Sequence, residues 1–192
     1  MVGWRIRRAG VDEIERLIDL RLAMFDAMDP IDAADRERVR ADCHAFFAST
    51  LPTGAFRVWV VCVSGAGTGD VPGSGEPEPR AGEASAPGEP DEGEPIASIG
   101  LVVHSVPPGP HNRVGKVGYI MNLVTRPVWR RRGIARALLE HVLGVLRAEG
   151  VPVASLHASS DGRDLYERLG FRVRDELPEM RLSFADEVGR PQ

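Results

Sequence analysis

The chain has 192 residues, 28 of them acidic and 24 Lys or Arg, with 43% apolar side chains. That length supports one sizeable core, and no apolar run is long enough to span a bilayer. Two cysteines, Cys43 and Cys62, exclude a disulfide framework or a cysteine zinc site and read as buried thiols.

The first residues, Met1 to Arg8, lack the apolar core of a signal peptide, so the cytoplasm is the expected compartment. Trp4 to Arg7 reads as a first strand. Asp12-Glu13-Ile14-Glu15 reads as a helix start, with Asp12 as cap and Glu15 reaching back. Ile14, Leu17, Ile18, Leu22 and Phe25 then share one helical face. A second helix is expected from about Ala33 to Ser49, with Val39, Cys43 and Phe46 inward, ended by Leu51-Pro52-Thr53-Gly54. Phe56 to Val63 is β-branched and aromatic and reads as a strand.

Residues 64–95 are Gly, Pro, Ser, Ala and acid, with a net charge of −7, so the rest of the chain carries +3. Such a stretch cannot bury enough surface to offset the entropy of ordering it, and the expectation is a disordered spacer inside one domain, 1–192. The functional alternative is an acidic lid or a partner-binding segment. Ile96 to Val103 and Lys116 to Val124 read as the third and fourth strands, joined over a Pro-rich loop at Val106 to His111. Ile134 to Glu149 has a helical apolar stripe of Ile134, Leu138, Val142 and Val145, stopped by Gly150 and Pro152. Val153 to His157 reads as a fifth strand, parallel to the fourth because a helix crosses between them. A helix over Asp161 to Leu169 and strands over Phe171 to Arg174 and Met180 to Phe184 complete the expectation.

The most informative stretch is Arg130-Arg131-Arg132-Gly133-Ile134-Ala135. It follows a strand and opens a helix. The first turn of a helix has backbone N–H groups without intrahelical partners, and the helix dipole favours an anion there. Gly133 lets an oxygen approach the backbone without meeting a Cβ, Ala135 keeps the face small, and arginine forks suit phosphate. The plain alternative is an ordinary basic helix N-terminus. No Gly-Lys-Ser/Thr and no triple-glycine fingerprint is present, which argues against the two common nucleotide loops. The cluster is short and local, suited to a polyanionic small molecule and not to a nucleic-acid face.

Val124-Thr125-Arg126-Pro127-Val128-Trp129-Arg130-Arg131-Arg132-Gly133-Ile134-Ala135 resembles the pyrophosphate-binding motif of the GCN5-related N-acetyltransferases (GNAT). Downstream, Leu165-Tyr166-Glu167-Arg168-Leu169-Gly170-Phe171 resembles that family's closing helix, with Gly170 as its left-handed end. The resemblance covers roughly the last half of the chain. It implies an α/β fold with a mixed, mostly antiparallel twisted sheet of six to seven strands flanked by helices. It also implies acetyl-CoA as co-substrate, an amine acceptor, direct attack in a ternary complex, and no metal.

By the same resemblance, Arg130, Arg131, Arg132, Gly133, Ile134 and Ala135 hold the pyrophosphate. The backbone of Asn122, Leu123 and Val124 pairs with the pantetheine arm and polarises the thioester carbonyl; the plain reading of Leu123 and Val124 is strand core, and both can hold. Tyr166 matches the tyrosine that protonates the departing thiolate; its plain reading is helix-face packing. Ser159 stands where relatives carry a pantetheine-binding Asn, or it belongs to a helix cap with Ser160 and Asp161. The fourth strand lacks the carboxylate that serves many relatives as base. His157 is the best-placed substitute, since imidazole titrates near neutral pH. His104, Tyr119 or a water are alternatives, and the plain reading of His157 is a strand-end histidine. His44 and His141 read as ordinary helix-face residues and His111 as a loop residue. The first two helices and the 104–115 loop are expected to line the acceptor pocket. The expected partners are a small-molecule or protein amine and, optionally, a second copy of the chain; nucleic acid and membrane are not expected. The rival function is a non-catalytic acyl-CoA sensor.

Overall fold

The computed structural model describes residues 3–64, 93–174 and 180. Its contacts divide the chain into two units, Met1–His157 and Ala158–Gln192.

The first unit is built on a five-stranded sheet in the order β1-β2-β3-β4-β5. β1 (Gly3–Arg8), β2 (Arg57–Ser64), β3 (Pro95–Ser105) and β4 (Lys116–Thr125) run antiparallel in succession, and β5 (Val153–Ser155) lies parallel to β4. The parallel pairing follows from the crossover helix α3 (Ile134–Ala148), as the sequence requires. Strand period sorts β2 onto two faces. Val58, Val60 and Cys62 join Ile14, Leu17, Ile18, Leu22 and Phe47 in one core, under α1 (Ile14–Met28) and α2 (Ala33–Thr50). On the alternate positions, Trp59 meets His141 of α3 edge-on at 5.8 Å, and Val61 is fully buried. Both sheet faces are therefore covered, which is why β2 reads as a nearly continuous apolar run. Gly100 of β3 makes room for Phe56, since a Cβ there would stand 2.4 Å from the phenyl ring.

Several local expectations are corrected. Asp12 and Glu15 do not cap the first helix; Glu13 closes the turn that precedes it. A 3-10 turn over Val11–Glu13 precedes α1, and the Glu13 carboxylate accepts the Gly10 N–H at 3.1 Å. Glu13 is 3% exposed and receives both forks of Arg7 at 2.5 and 2.6 Å, which ties the end of β1 to the start of α1. Phe46 is not inward: Val39, Cys43 and Phe47, spaced by four, form the inner row of α2, and Phe46 stays 47% exposed against the edges of Phe47 and Phe56. Cys62 is buried as expected, but Cys43 is only partly so. In α3 the stripe ends on Leu146, with Val145 half-buried beside it. β5 stops at Ser155, short of His157.

In the second unit a 3-10 turn, Ser160–Gly162, leads into α4 (Arg163–Arg168). Gly150 and Gly170 end α3 and α4 with φ of 67° and 94°, as their sequence positions imply. Phe171 to Arg174 is not a strand. Phe171 is half-buried, with its ring edge-on to Tyr166 at 6.0 Å. The expected strand at Met180 to Phe184 lies, but for Met180, outside the described residues, as does most of 64–95. The strand count among the described residues is therefore five, not six or seven, with the α/β architecture otherwise as expected.

Candidate active site

β4 carries an irregularity that its sequence does not announce. Ser98 of β3 pairs with Val124, but Gly100 pairs with Met121, so Asn122 and Leu123 together face Ile99. This is a β-bulge, which bends a strand and raises its twist. Asn122 takes it up with φ 53°, in the left-handed region that Asn enters more readily than most residues. β5 pairs with β4 only at Val117, Gly118 and Tyr119. Beyond that point, from Ile120 to Thr125, the β5 side of β4 has no strand partner among the described residues. An open strand edge presents N–H and C=O groups to whatever extended chain lies beside it.

The side chains here pack while the backbone stays available. Val124 is buried and Leu123 half-buried. The Thr125 hydroxyl is buried with no hydrogen-bond partner, an orphan at the mouth of the following turn. That turn is fastened at its start by Arg126 N–H to Ile96 O (2.9 Å) and by an ion pair from Arg126 to Glu94. A 3-10 turn, Pro127–Trp129, follows, and Trp129 is buried. Arg130 Nε then donates back to Thr125 O at 3.1 Å. Arg131 and Gly133 adopt φ of 62° and 80°, and Gly133 is the N-cap of α3. A Cβ at Gly133 would meet no atom within 4 Å, so the conformation and not crowding within the protein calls for glycine. The first turn of α3 holds no acidic residue and no side-chain cap. Ile134 sends its side chain into the core and leaves only its backbone at the turn, while Ala135 is half-buried.

The arginines divide into two sets. Arg126 and Arg136 are neutralised by Glu94 and Glu140. Arg130, Arg131 and Arg132 are exposed and meet no carboxylate among the described residues. Arg132 lies over the Trp129 ring at 4.7 Å, which steadies it without cancelling its charge. The positive charge left over therefore sits at the three positions singled out by the motif.

His157 is exposed past the end of β5, and its Nδ1 shares a hydrogen bond with the Tyr119 hydroxyl of β4. Two of the candidate bases thus form one unit. His104 is exposed near the far end of β3; His44 and His141 lie on α2 and α3 and His111 in a turn, as read, and all three are exposed. In the second unit Tyr166 and Ser159 both point toward Gly162, whose added Cβ would stand 2.9 Å from the Tyr166 ring and 3.3 Å from Ser159 Oγ. Ser159 occupies the cap position before the 3-10 turn, but its hydroxyl makes no capping bond. Burial pushes the Tyr166 phenol up from its ordinary value, so it keeps its proton through neutral pH.

A narrow pocket opens beside the bulge, lined by Leu17, Arg21, Phe47, Phe56, Val58, Ser98, Gly100 and Asn122. α1 contributes Leu17 and Arg21 to it and α2 contributes Phe47, and no residue of the 104–115 loop lines it. Arg21 donates to Asn122 Oδ1, a contact that sequence reading missed. Its signal is a charge at the centre of the Leu17-Arg21-Phe25 row, where the helical spacing calls for an apolar residue.

Residues 78–171 match the acetyltransferase (GNAT) family, a span that contains both motifs. No curated protein matches the chain. Among solved structures, a GCN5-related N-acetyltransferase from Ralstonia eutropha JMP134 is 27% identical, with a TM-score of 0.68 over 93% of this chain and 99% of that one. A predicted acetyltransferase from Clostridium acetobutylicum, solved with acetyl-CoA, is 21% identical, with a TM-score of 0.70 over 93% of this chain and 96% of that one. Glucosamine-6-phosphate N-acetyltransferase from Arabidopsis thaliana is 14% identical, with a TM-score of 0.61 over 95% of this chain and 99% of that one. Among the described residues no helix is long and apolar enough to cross a membrane. Sequence over residues 78–171 and fold over nearly the whole chain agree: residues 78–171 match the GNAT acetyltransferase family, and the structural neighbours are GCN5-related N-acetyltransferases.

Proposed function

We propose that the protein transfers an acetyl group from acetyl-CoA to a primary amine, with residues 1–192 acting as one domain. The observation that carries this reading is the open edge of β4 past Tyr119, running directly into a helix N-terminus with unneutralised arginines. An extended pantetheine arm with two amides can pair with such an edge as an added strand. The pyrophosphate then falls at Gly133, Ile134 and Ala135, where backbone N–H groups and the helix dipole meet it, with Arg130, Arg131 and Arg132 around it. The same backbone at Asn122 to Val124 polarises the thioester carbonyl, and the orphan Thr125 hydroxyl gains a partner when the cleft fills.

In the reaction the amine nitrogen attacks the thioester carbon. The C–N bond forms, the C–S bond breaks, and the nitrogen loses a proton. We assign that proton to His157, whose imidazole is held by Tyr119. The departing thiolate takes a proton from Tyr166, which burial keeps in its protonated form. Ser159 adds a hydroxyl to the pantetheine. The acetyl-CoA held by the Clostridium acetobutylicum relative supports the choice of donor.

Calorimetric titration with acetyl-CoA, with dephospho-CoA beside it, tests the donor site. Thiol release against an amine panel tests transfer. Binding followed by release is the expected result. Binding without release for any amine would favour the sensor reading, and no binding would remove acetyl-CoA from the proposal.

A further inference from the structure

Most arginines on and beside the first two helices pair with carboxylates, Arg38 with Asp35 among them; Arg16 and Arg21 do not among the described residues, and of these two Arg16 is exposed while Arg21 is half-buried. Arg7 takes Glu13, Arg36 takes Asp26, and Arg40 takes both Glu15 and Asp19. Arg21 meets no carboxylate among the described residues. It is half-buried in the pocket wall, with its guanidinium over the Phe25 ring at 4.8 Å and one donor on Asn122 Oδ1. A guanidinium has five N–H donors in a planar fork. A partly buried cation with only a neutral partner lacks the compensation such a charge ordinarily has. The rest of the wall is Leu17, Phe47, Phe56, Val58, Ser98 and Gly100, and none of these carries a negative charge.

We propose that Arg21 selects the acyl acceptor by gripping an anionic group, carboxylate or phosphate, on the incoming amine. The inference rests on the acetyl-transfer reading and adds the substrate class to it. Asn122 links the two functions, because the residue that receives Arg21 is also the one that makes the β4 bulge. An anion on Arg21 is thus held next to the strand segment assigned to the thioester. The Phe25 ring limits the guanidinium to its edge, which favours a two-pronged oxyanion over a single point charge. Polycationic amines are disfavoured at the same place.

The test uses twin probes that differ in the anion: glucosamine 6-phosphate against glucosamine, and alanine against alaninamide. Each is titrated into the CoA-loaded full chain and assayed for thiol release. At least one anionic twin is expected to bind and turn over about ten- to a hundredfold better than its neutral partner. The phosphate pair and the carboxylate pair separate the two sources of charge. In Arg21→Met, which keeps a stem over Phe25, the preference collapses while the KM for acetyl-CoA stays unchanged. In Arg21→Lys, which keeps the charge without the fork, it falls part-way and serves if the Met variant is unstable. Equal handling of both twins, or a preference that survives Arg21→Met, would overturn the proposal. Failure of acetyl transfer itself is a different result, seen as absent thiol release with every probe while the binding titration still reads the anion.

Discussion

The sheet hands two of its strands to helices, and the two connections are built on opposite terms. After β1 the chain makes a 3-10 turn and enters α1 with Asp12, Glu13 and Glu15 around the helix start. Glu13 closes that corner by binding Gly10 N–H and Arg7, and it is buried. After β4 the chain again makes a 3-10 turn and enters α3, but no acidic residue stands in the first turn. Its arginines face outward, and its cap is a glycine in open space. Both helix starts attract negative charge by the same dipole. The first satisfies the attraction with a carboxylate of its own and becomes structure. The second has no carboxylate of its own, and it is the corner we propose for the phosphates.

Placing a carboxylate at the second corner should break that difference most strongly. Gly133→Glu puts a negative charge where the phosphates are proposed and forces a side chain onto φ 80°. CoA affinity is expected to fall by at least about a hundredfold, with a stability cost of about 1–2 kcal/mol for the left-handed residue. Calorimetry reads the first and denaturant unfolding the second; an unchanged Kd would remove the phosphates from this turn.

The converse change at the first corner should leave binding alone. Glu13→Gln removes the charge from a buried, hydrogen-bonded pair and is expected to cost about 2–3 kcal/mol of stability with acetyl-CoA affinity intact. The acid limb gives an independent check. Burial alone would push the Glu13 carboxyl up, but the Arg7 fork and the Gly10 N–H outweigh it and hold it below its ordinary 4.5. Its contribution is therefore complete above that value and drains away as pH falls through the lowered folded one. The native chain should lose more stability than Glu13→Gln between about pH 5 and 3. Parallel acid curves for the two would mean that Glu13 contributes nothing through its charge.

The contrast between the corners was half legible in the sequence. The strand–turn–helix geometry of the second was, because its signal is local: a strand, a basic turn, a glycine and an amphipathic helix in immediate succession. So were the apolar alternation of β2, the stripe of α3 and the glycine stops at Gly150 and Gly170. The Arg7–Glu13 closure was not, because which acidic residue becomes the cap depends on where β1 ends, and Asp12 and Glu15 fit the local pattern as well. The bulge at Asn122 was hidden for a related reason. It is a register mismatch between β3 and β4, and Lys116 to Thr125 alone reads as an unbroken strand. Phe171-Arg172-Val173-Arg174 has strand alternation but no strand partner among the described residues, and pairing, not propensity, makes a strand. The two adjacent phenylalanines of α2 could not be told apart by composition, and the spacing from Val39 and Cys43 picks Phe47.

Chemistry and binding should separate at Tyr166. Tyr166→Phe keeps the ring against Phe171 and removes only the hydroxyl. Turnover is expected to fall about ten- to a hundredfold with CoA affinity changed little, since the proton is needed only as the C–S bond breaks. Equal turnover in steady-state assays would take Tyr166 out of the reaction.

The smallest effect should come from thinning the charge at the second corner without altering its backbone. Arg132→Gln removes a cation that rests on Trp129 and meets no carboxylate. The glycine turn and the first N–H groups of α3 remain, so CoA still binds, but a few-fold more weakly. The loss should be largest at low salt and shrink as ionic strength rises, because the arginine is exposed and its field is screened within about 10 Å at 0.1 M salt. A loss that is constant across salt would mean that Arg132 acts by packing on Trp129 and not by charge. The second corner would then owe its affinity to the backbone and dipole of α3, with the arginines as secondary contributors.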